Sequence, residues 1–237
     1  VKPLTVATWN VLHRVHAENW GESPVALYPD ERTRALGVAR AVAGLLEAGC
    51  DAVCLQEVSG DQRAALAALP GVAMVVHTYP RVPQFRVDTP TTLSDPREHL
   101  VILARQAPTL LGAHTNYKDP GKGHLVAAER GARLVCTHVA HGRRGREQLA
   151  AIRAEPGAEP LVVCGDFNAH HDQVAAELGP GFSVSELEAG AVTRIPTGDK
   201  PGHVIDFVAA RGAHVRHAYV VESDLSDHLA VVATIAD

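Results

Sequence analysis

The stretch LVVCGDFN at residues 161–168 joins four apolar residues to the tetrapeptide Gly-Asp-Phe-Asn. A short apolar run followed by polar residues predicts a buried strand with Asp166 and Asn168 at its carboxyl end, where sheet proteins place their chemistry. Because side chains alternate along a strand, Asp166 and Asn168 are expected to point to the same side. A carboxylate that orients water beside an amide that holds an oxyanion indicates hydrolysis, and ordinary turn chemistry is the alternative.

The length and composition of the chain favour one large domain over two small ones. The chain has 237 residues, of which 46% are hydrophobic, and no repeat or linker divides it. We therefore predict a single domain over residues 1–237. No apolar run approaches the ~18 residues that span a bilayer, so no membrane association is expected. The strand-like run at residues 4–8 argues against a signal peptide within the chain, and removal of a leader before Val1 is left open.

The four cysteines are Cys50, Cys54, Cys136 and Cys164, and no two of them form a CxxC pair. Three of them lie inside apolar runs, where cysteine behaves as a small hydrophobic residue. We therefore predict buried, reduced thiols rather than a zinc site or a disulfide framework, and a cytoplasmic location.

Charge is distributed unevenly along the chain. The net charge is −5, yet residues 81–146 hold eleven Lys and Arg against five Asp and Glu. This local excess of positive charge is a candidate binding surface for an anionic ligand, or else a fluctuation on solvated loops. Within it, Arg143 and Arg144 closely follow a Thr-His pair at a predicted strand end and are predicted to grip phosphate; a solvated loop is the alternative.

The order of apolar runs predicts a mixed α/β (α+β) fold. Strands outnumber helices and no βαβα rhythm persists, so a sandwich of two sheets with helices outside fits best. Residues 78–98 show no periodicity and are expected to form a long loop, and a hairpin-like stretch runs through 193–202. Strands are predicted at 4–12, 52–55, 72–77, 100–104, 124–128, 134–139, 161–164, 204–209, 217–221 and 230–235, and helices at 32–47, 61–69, 146–155 and 173–178.

Polar residues recur where the predicted strands end. Each alone has an ordinary alternative as a turn residue, a helix cap or a buried histidine. Together they supply the carboxylates, imidazoles and amides of metal-assisted phosphoester hydrolysis, and a carboxylate set without cysteine suits Mg²⁺ or Mn²⁺. A carboxylate–imidazole pair adds a general acid or an orienting donor. These clusters are Trp9-Asn10, Gln56-Glu57, Thr137-His138, Gly165-Asp166-Phe167-Asn168, Ile205-Asp206 and Ser226-Asp227-His228.

The motif order WN, QE, TH, GDFN, ID and SDH resembles the endonuclease/exonuclease/phosphatase superfamily, which has the DNase I-like fold. The resemblance runs from Thr8 to Val232, and the motifs around Asn10 and Glu57 are similar to the deadenylase branch. It implies a four-layer αββα sandwich of two mixed β-sheets, with helices on both outer faces and the site at one edge of the sheets.

The resemblance also implies a role for each matched residue. Glu57 would be the principal ligand of a Mg²⁺ or Mn²⁺ ion, with Asn10 beside the ion and Asp227 as a possible second metal ligand. The remaining matched residues would be catalytic. Asp166 would orient or deprotonate the attacking water and Asn168 would bind a phosphate oxygen.

Two histidines complete the set that the resemblance implies. His228 would contact the phosphoryl group and be held by Asp206, and His138 would lie near the leaving group. Positioning and charge neutralisation of this kind dominate catalysis of phosphoryl transfer.

The predicted function is divalent-metal-dependent phosphoester hydrolysis of phosphodiesterase or phosphatase type, by in-line attack of an Asp-activated water. The expected partner is an anionic phosphoester, either a small molecule or a short nucleic acid; the sequence predicts no oligomeric state. A DNA or RNA nuclease is the alternative, although aromatic residues, the usual stacking platforms for bases, make up only 4% of the chain. Leu12 and His13 replace the Asp and Gly of the exonuclease III-type branch, which argues against abasic-site repair. A non-catalytic binding domain is a third possibility, disfavoured because every motif residue is present.

Overall fold

The computed structural model describes residues 3–86, 92–198 and 201–237. Within these ranges it contains twelve strands and six helices. The strands are β1 (Leu4–Asn10), β2 (Ala52–Ser59), β3 (Ala73–Thr78), β4 (Glu98–Ala104), β5 (Thr109–Thr115), β6 (Gly123–Glu129), β7 (Ala132–His138), β8 (Leu161–Asp166), β9 (Phe182–Val184), β10 (Asp206–Arg211), β11 (His214–Val221) and β12 (Ala230–Ala236). The helices are α1 (Arg14–Trp20), α2 (Ser23–Leu27), α3 (Glu31–Glu47), α4 (Gly60–Ala67), α5 (Gly142–Arg153) and α6 (His171–Leu178).

The strands form two six-stranded sheets. The first has the order β11-β12-β1-β2-β4-β3, and the second has the order β5-β6-β7-β8-β10-β9. Each sheet contains one parallel pair, β1 with β2 and β7 with β8, among antiparallel neighbours. The expectation of two mixed sheets is therefore confirmed.

Three apolar clusters account for the four layers. The central cluster packs the inner faces of the two sheets together, with residues such as Val6 of β1 against Val162 of β8. The second covers the outer face of the first sheet with α3 and α4, and the third covers the outer face of the second sheet with α5 and α6. Burial of apolar surface on both faces of each sheet confirms the αββα sandwich.

Four short elements have no counterpart among the sequence-based predictions: α1, α2, β5 and β9. Strand β5 lies at the edge of its sheet and is mostly exposed, so it lacks the apolar alternation that identifies a half-buried strand. Helix α1 has only seven residues and begins where the His13 side chain accepts a hydrogen bond from the Val15 N–H. The predicted loop at 78–98 is shorter than expected because β3 and β4 extend into it, and residues 87–91 of it lie outside the described ranges.

All four cysteines are buried and free, as predicted. None of the described helices is long and apolar enough to cross a membrane.

A buried ion pair fastens α3 to the loops beside the pocket described below. Arg34 is 1% exposed and Glu31 is fully buried, and two hydrogen bonds of 2.8 and 2.9 Å join them. The remaining guanidinium N–H groups donate to the backbone carbonyls of Val11, Leu12 and Leu225 at 2.7–2.9 Å. Arg34 therefore ties the segment after β1 to the segment before β12.

Arg34→Ala is expected to lower the free energy of unfolding by about 3–5 kcal/mol, because it leaves the buried Glu31 carboxylate without its partner. Urea denaturation measures the loss. Arg40→Ala changes an exposed arginine of the same helix and is the matched control, with an expected effect within about 0.5 kcal/mol. Equal stability of the two variants would contradict the role given to Arg34.

Candidate active site

An open pocket of about 500 Å³ lies where the carboxyl ends of β1, β2, β7 and β8 meet. Six of the residues predicted from the motifs line it, and two more, Asn10 and Asp206, lie buried beneath them. The structure therefore brings the predicted catalytic and metal-ligating residues together. The six in the lining are Glu57, His138, Asp166, Asn168, Asp227 and His228.

Strand register in the second sheet aligns three of these side chains. Parallel pairing of β7 with β8 sets His138 opposite Asp166, and antiparallel pairing of β8 with β10 sets Asp206 opposite Asp166. Paired residues of neighbouring strands have their side chains on the same face of a sheet. The motifs TH, GDFN and ID, far apart in sequence, therefore form one row at the sheet edge.

Asn10 joins the two sheets. Its Nδ2 donates to Glu57 Oε1 at 3.2 Å, on the first sheet, and to Asp166 Oδ2 at 3.1 Å, on the second. Its Oδ1 accepts the Leu12 N–H at 3.0 Å. In this arrangement Asn10 orients two carboxylates; its place beside a metal ion stays a prediction.

Three non-glycine residues at the site have left-handed backbone conformations: Leu12 with φ 55°, Glu57 with φ 56° and Asn168 with φ 48°. Such conformations cost free energy and persist where the surroundings fix them, often at functional sites. Glu57 lies at an irregularity in β2 between Leu55 and Val58, which redirects its side chain.

The expectation that Asp166 and Asn168 lie on one extended segment is wrong. Strand β8 ends at Asp166, and the chain turns so that the Asn168 N–H donates to Asp166 Oδ1 at 2.9 Å. This hydrogen bond is the turn chemistry that Asp-x-Asn favours. Both side chains nevertheless line the pocket, and Asn168 Nδ2 donates to the Val139 carbonyl at 3.0 Å.

His228 is held by a buried carboxylate. Its Nδ1 lies 2.8 Å from Oδ2 of Asp206, a residue with no exposed surface. Trp9 Nε1 donates to the His228 carbonyl at 2.9 Å, which fixes the backbone at this position. Burial opposes protonation, but the carboxylates of Asp206, Asp227 and Asp166 outweigh it and raise the pKa of His228 to about 10. His228 is therefore an imidazolium at neutral pH, with Nε2 available on the pocket side, 4.0 Å from Asp166 Oδ2.

Positive groups lower the pKa of two carboxyls. Burial favours their neutral forms, but His16 and His138 hold the pKa of Glu57 well below its usual value. A hydrogen bond and the charge of His138, followed by the charge of His228, do the same to the pKa of Asp166. Both groups are therefore ionised at neutral pH.

The donor set fits a hard divalent cation. Four carboxylate side chains line the pocket, and carboxylate oxygens are the ligands that Mg²⁺ and Mn²⁺ prefer. Asp227 is only 4% exposed, its Oδ2 accepts from Arg194 Nε at 3.2 Å, and its Oδ1 has no hydrogen-bond partner among the described residues. A buried oxygen of this kind is available to coordinate an ion. The four carboxylates belong to Glu22, Glu57, Asp166 and Asp227.

Lys122 is a site residue that the motifs did not reveal. Its Nζ contacts Nε2 of His138, which lies 3.4 Å from Asp166 Oδ2 and 3.7 Å from Glu57 Oε1. Lys122 belongs to the positively charged segment at residues 81–146, and that excess of charge is the one feature of the sequence that indicated a role for it. Most other basic residues of this segment pair with carboxylates, for example Arg133 with Glu155.

Several further residues of the lining lie outside the six motifs. Arg194 bridges Asp227 and Glu22, and Trp20 is 55% exposed in the wall with the Arg86 guanidinium 4.1 Å from its ring. Arg194 belongs to an isolated bridge with His203 and His228, a pairing that short patterns do not predict. The other polar lining residues outside the motifs are His141, His170, Gln173 and His203.

Arg143 and Arg144 lie in the first turn of α5 and do not line the pocket. The Arg143 side chain is 82% exposed and its Nε donates to Glu147 Oε1 at 3.0 Å. His141, the residue that precedes the helix, does line the pocket. The two arginines are therefore at the margin of the site, and their contact with substrate stays a prediction.

Comparisons with known proteins agree with this architecture. The profile of the Endonuclease/Exonuclease/phosphatase family matches residues 7–228. Among solved structures, TDP2 of D. rerio in complex with a single-strand DNA product is 15% identical, with a TM-score of 0.67 over 100% of both chains. The human Nocturnin catalytic domain with a bound sulfate anion is 19% identical, with a TM-score of 0.64 over 99% of this chain and 93% of that one.

A third similar structure is an endonuclease/exonuclease/phosphatase of Bacteroides vulgatus, 17% identical, with a TM-score of 0.66 over 99% of each chain. At these identities the structures show a shared fold. No curated protein sequence matches the chain significantly.

Proposed function

Because the chain belongs to the endonuclease/exonuclease/phosphatase family, we propose that it is a Mg²⁺- or Mn²⁺-dependent phosphoester hydrolase of phosphodiesterase or phosphatase type. One observation carries the proposal: the carboxylates of Glu57, Asp166 and Asp227 line the same pocket as the imidazole of His228. An anionic phosphoester would be repelled by the carboxylates alone, so binding requires cations, and a metal ion supplies the missing positive charge.

In the proposed reaction Glu57 and Asp227 would hold the ion, and Asn10 keeps Glu57 and Asp166 in place. An ion held there would supply positive charge to the phosphoryl oxygens. Asp166 orients the water that attacks in line and accepts its proton, since its ionised oxygens face the pocket. His228 donates Nε2–H to a phosphoryl oxygen while Asp206 holds its Nδ1.

Two further groups complete the proposed cycle. The Asn168 amide has two N–H groups, one of which donates to Val139, so the other is available to a phosphoryl oxygen. His138 and Lys122 lie together on the opposite side of Asp166 from His228 and stabilise the leaving oxygen.

Removal of divalent metal is expected to lower the hydrolysis of bis(p-nitrophenyl) phosphate by at least ~100-fold, since the carboxylates then repel the substrate. The enzyme is treated with EDTA, dialysed and assayed with and without Mg²⁺ or Mn²⁺. Either ion should restore the rate, whereas K⁺ at equal ionic strength is the control. Full activity of the dialysed, metal-free enzyme would refute the metal requirement.

A DNA or RNA nuclease is the second candidate function. Exposed Trp20 in the pocket wall provides a surface for base stacking, which favours a nucleotide substrate. The similar TDP2 structure contains single-strand DNA. The two candidate functions differ in the size of the substrate. A nuclease binds a strand that extends beyond the rim of the pocket, whereas a small phosphodiester fits inside it.

Charge reversal at Arg143 and Arg144 separates the two candidates. A strand that leaves the pocket past His141 would meet the first turn of α5, whereas a small diester would not. Arg143→Glu with Arg144→Glu is therefore expected to raise KM for an oligonucleotide by roughly tenfold, from lost phosphate contacts, and to leave KM for bis(p-nitrophenyl) phosphate unchanged. Arg32→Glu with Arg40→Glu, on the exposed side of α3, is the matched control. An oligonucleotide KM that does not change would remove Arg143 and Arg144 from the binding surface.

We also propose that residues 1–237 form one domain and that the protein is cytoplasmic. The family match over residues 7–228 and the apolar cluster shared by both sheets support the first. The four free, buried thiols support the second.

A further inference from the structure

We propose that His114, His124 and Glu155 form a second metal site, outside the catalytic pocket, that binds Zn²⁺ or a similar transition-metal ion. One ligand atom from each residue lies within 4.8 Å of the other two. None of the three residues lines the catalytic pocket. The set is therefore a separate centre of potential ligands.

Strand pairing holds the two histidines together. His114 of β5 lies directly opposite His124 of β6, and their rings stack with centroids 4.6 Å apart. Directly opposed side chains of an antiparallel pair are close enough to act on one ion. Glu155 follows α5 and brings its carboxylate to the same place, with Oε1 3.4 Å from His124 Nε2 and 4.0 Å from His114 Nε2.

The surroundings of the His124 ring favour metal binding. It is 4% exposed, and its Nε2 is buried without a hydrogen bond to any described residue, although it faces Glu155. A buried imidazole nitrogen that makes no hydrogen bond and lies beside a carboxylate oxygen is well placed to bind a metal ion together with that oxygen.

The distances suit a tetrahedral ion after a small adjustment. Zn–N and Zn–O bonds of about 2.0–2.1 Å place neighbouring ligand atoms roughly 3.4 Å apart, which the pair of His124 and Glu155 already matches. His114 Nε2 lies 4.0 Å from Glu155 Oε1 and has to move closer, and the His114 side chain is 59% exposed and therefore able to rotate.

The chemistry of the ligands selects the metal. Two imidazoles and one carboxylate form a common zinc set, whereas Mg²⁺ and Ca²⁺ prefer oxygen ligands. Three protein ligands leave a fourth position for water, and a pocket of about 200 Å³ adjoins the two histidines. The neighbouring His77 is not available as a fourth ligand through Nε2, which lies 2.9 Å from Thr115 Oγ1.

A charged neighbour orients the carboxylate. Arg133 lies 3.4 Å from Glu155 Oε2, which leaves Oε1 directed at the histidines. Partners of this kind fix the geometry of metal ligands. The ion would join the β5–β6 hairpin to Glu155 at the end of α5. Because His124 is two residues from Lys122, the ion would also hold the loop that carries Lys122 to the catalytic pocket.

The test is calorimetric titration of Zn²⁺ into the whole chain of residues 1–237 in excess Mg²⁺, which under the proposed function fills the catalytic pocket. We expect one equivalent of Zn²⁺ to bind and to raise the melting temperature, since the ion binds only the folded arrangement. His114→Ala, at an exposed position, and Glu155→Gln, which keeps the size of the side chain, should lower Zn²⁺ affinity by at least the ~10–100-fold that lost supporting contacts cost a metal site. His214→Ala replaces another exposed histidine, on β11, and is the control that keeps full affinity.

Glu57→Gln locates the ion. The variant should keep the same Zn²⁺ equivalent and the same rise in melting temperature, because Glu57 is not a ligand of this site. Loss of Zn²⁺ binding in Glu57→Gln would place the ion in the catalytic pocket and overturn the proposal. Absence of Zn²⁺ binding by the wild-type protein, or equal affinity in wild type and His114→Ala, would overturn it as well.

Discussion

Asp166→Asn is expected to lower kcat by roughly 10²–10⁴-fold at neutral pH. The substitution keeps the shape of the side chain but removes the carboxylate that we propose accepts a proton from water. It also replaces an oxygen that accepts from Asn10 and faces His138 and His228 with either a neutral oxygen or an N–H donor. Initial rates with bis(p-nitrophenyl) phosphate in saturating Mg²⁺ measure the loss.

The control for this result is Asp172→Asn, the same chemical change on α6 at a fully exposed carboxylate. Circular dichroism and thermal melting establish that both variants are folded. If Asp166→Asn retains a rate within about threefold of the wild type while folded, Asp166 does not activate the water.

Asp206→Asn is expected to move the alkaline limb of the pH–rate profile from near pH 10 towards neutrality. The wild-type His228 stays charged because Asp206, the largest favourable influence, raises its pKa from 6.5 to about 10 against the effect of burial. Without that carboxylate, burial is less strongly opposed, the pKa of His228 falls, and Nε2–H is lost at lower pH. Above the new pKa we expect roughly 10²–10⁴-fold less activity than in the wild type.

The ion pair between His228 and Asp206 also predicts that the stability of the fold depends on pH. The folded-state pKa of His228, about 10, lies above its ordinary value of 6.5, so the pair stabilises the fold fully below pH 6.5 and loses this contribution as the pH rises through 10. Asp206→Asn should remove that alkaline loss of stability, whereas Asp172→Asn should preserve it. An alkaline limb that is unchanged in Asp206→Asn would show that another group controls the profile.

The sequence predicted the site most accurately where polar residues end apolar strands. His138 and Asp166 end the parallel strands β7 and β8, and Asp206 begins the antiparallel strand β10, so all three lie at one edge of the sheet. The layering of sheets and helices was also predictable, because buried strands and amphipathic helices have distinct hydrophobic periodicities.

The rest of the site depends on contacts between residues far apart in the sequence, which no local sequence pattern encodes. Lys122 reaches the pocket because pairing of β6 with β7 sets the adjacent Gly123 opposite His138, and β5, which precedes the loop of Lys122, is too exposed to predict. Arg194 meets Glu22 across 172 residues of sequence. The left-handed conformation of Asn168 replaced a predicted extended one, because the local Asp166 hydrogen bond outweighs continuation of the strand.

The order of the strands has a consequence for synthesis on the ribosome. The second sheet is built from one continuous segment, β5 to β10, but the first combines β1–β4 with β11 and β12. During translation β1 has no neighbour on one side until β12 emerges, more than 200 residues later. His228 belongs to that last segment, so a nascent chain carries Glu57 and Asp166 long before it can form the complete pocket. We therefore expect the proposed hydrolytic activity to begin only when β12 closes the first sheet, and a chain that ends before His228 to be inactive.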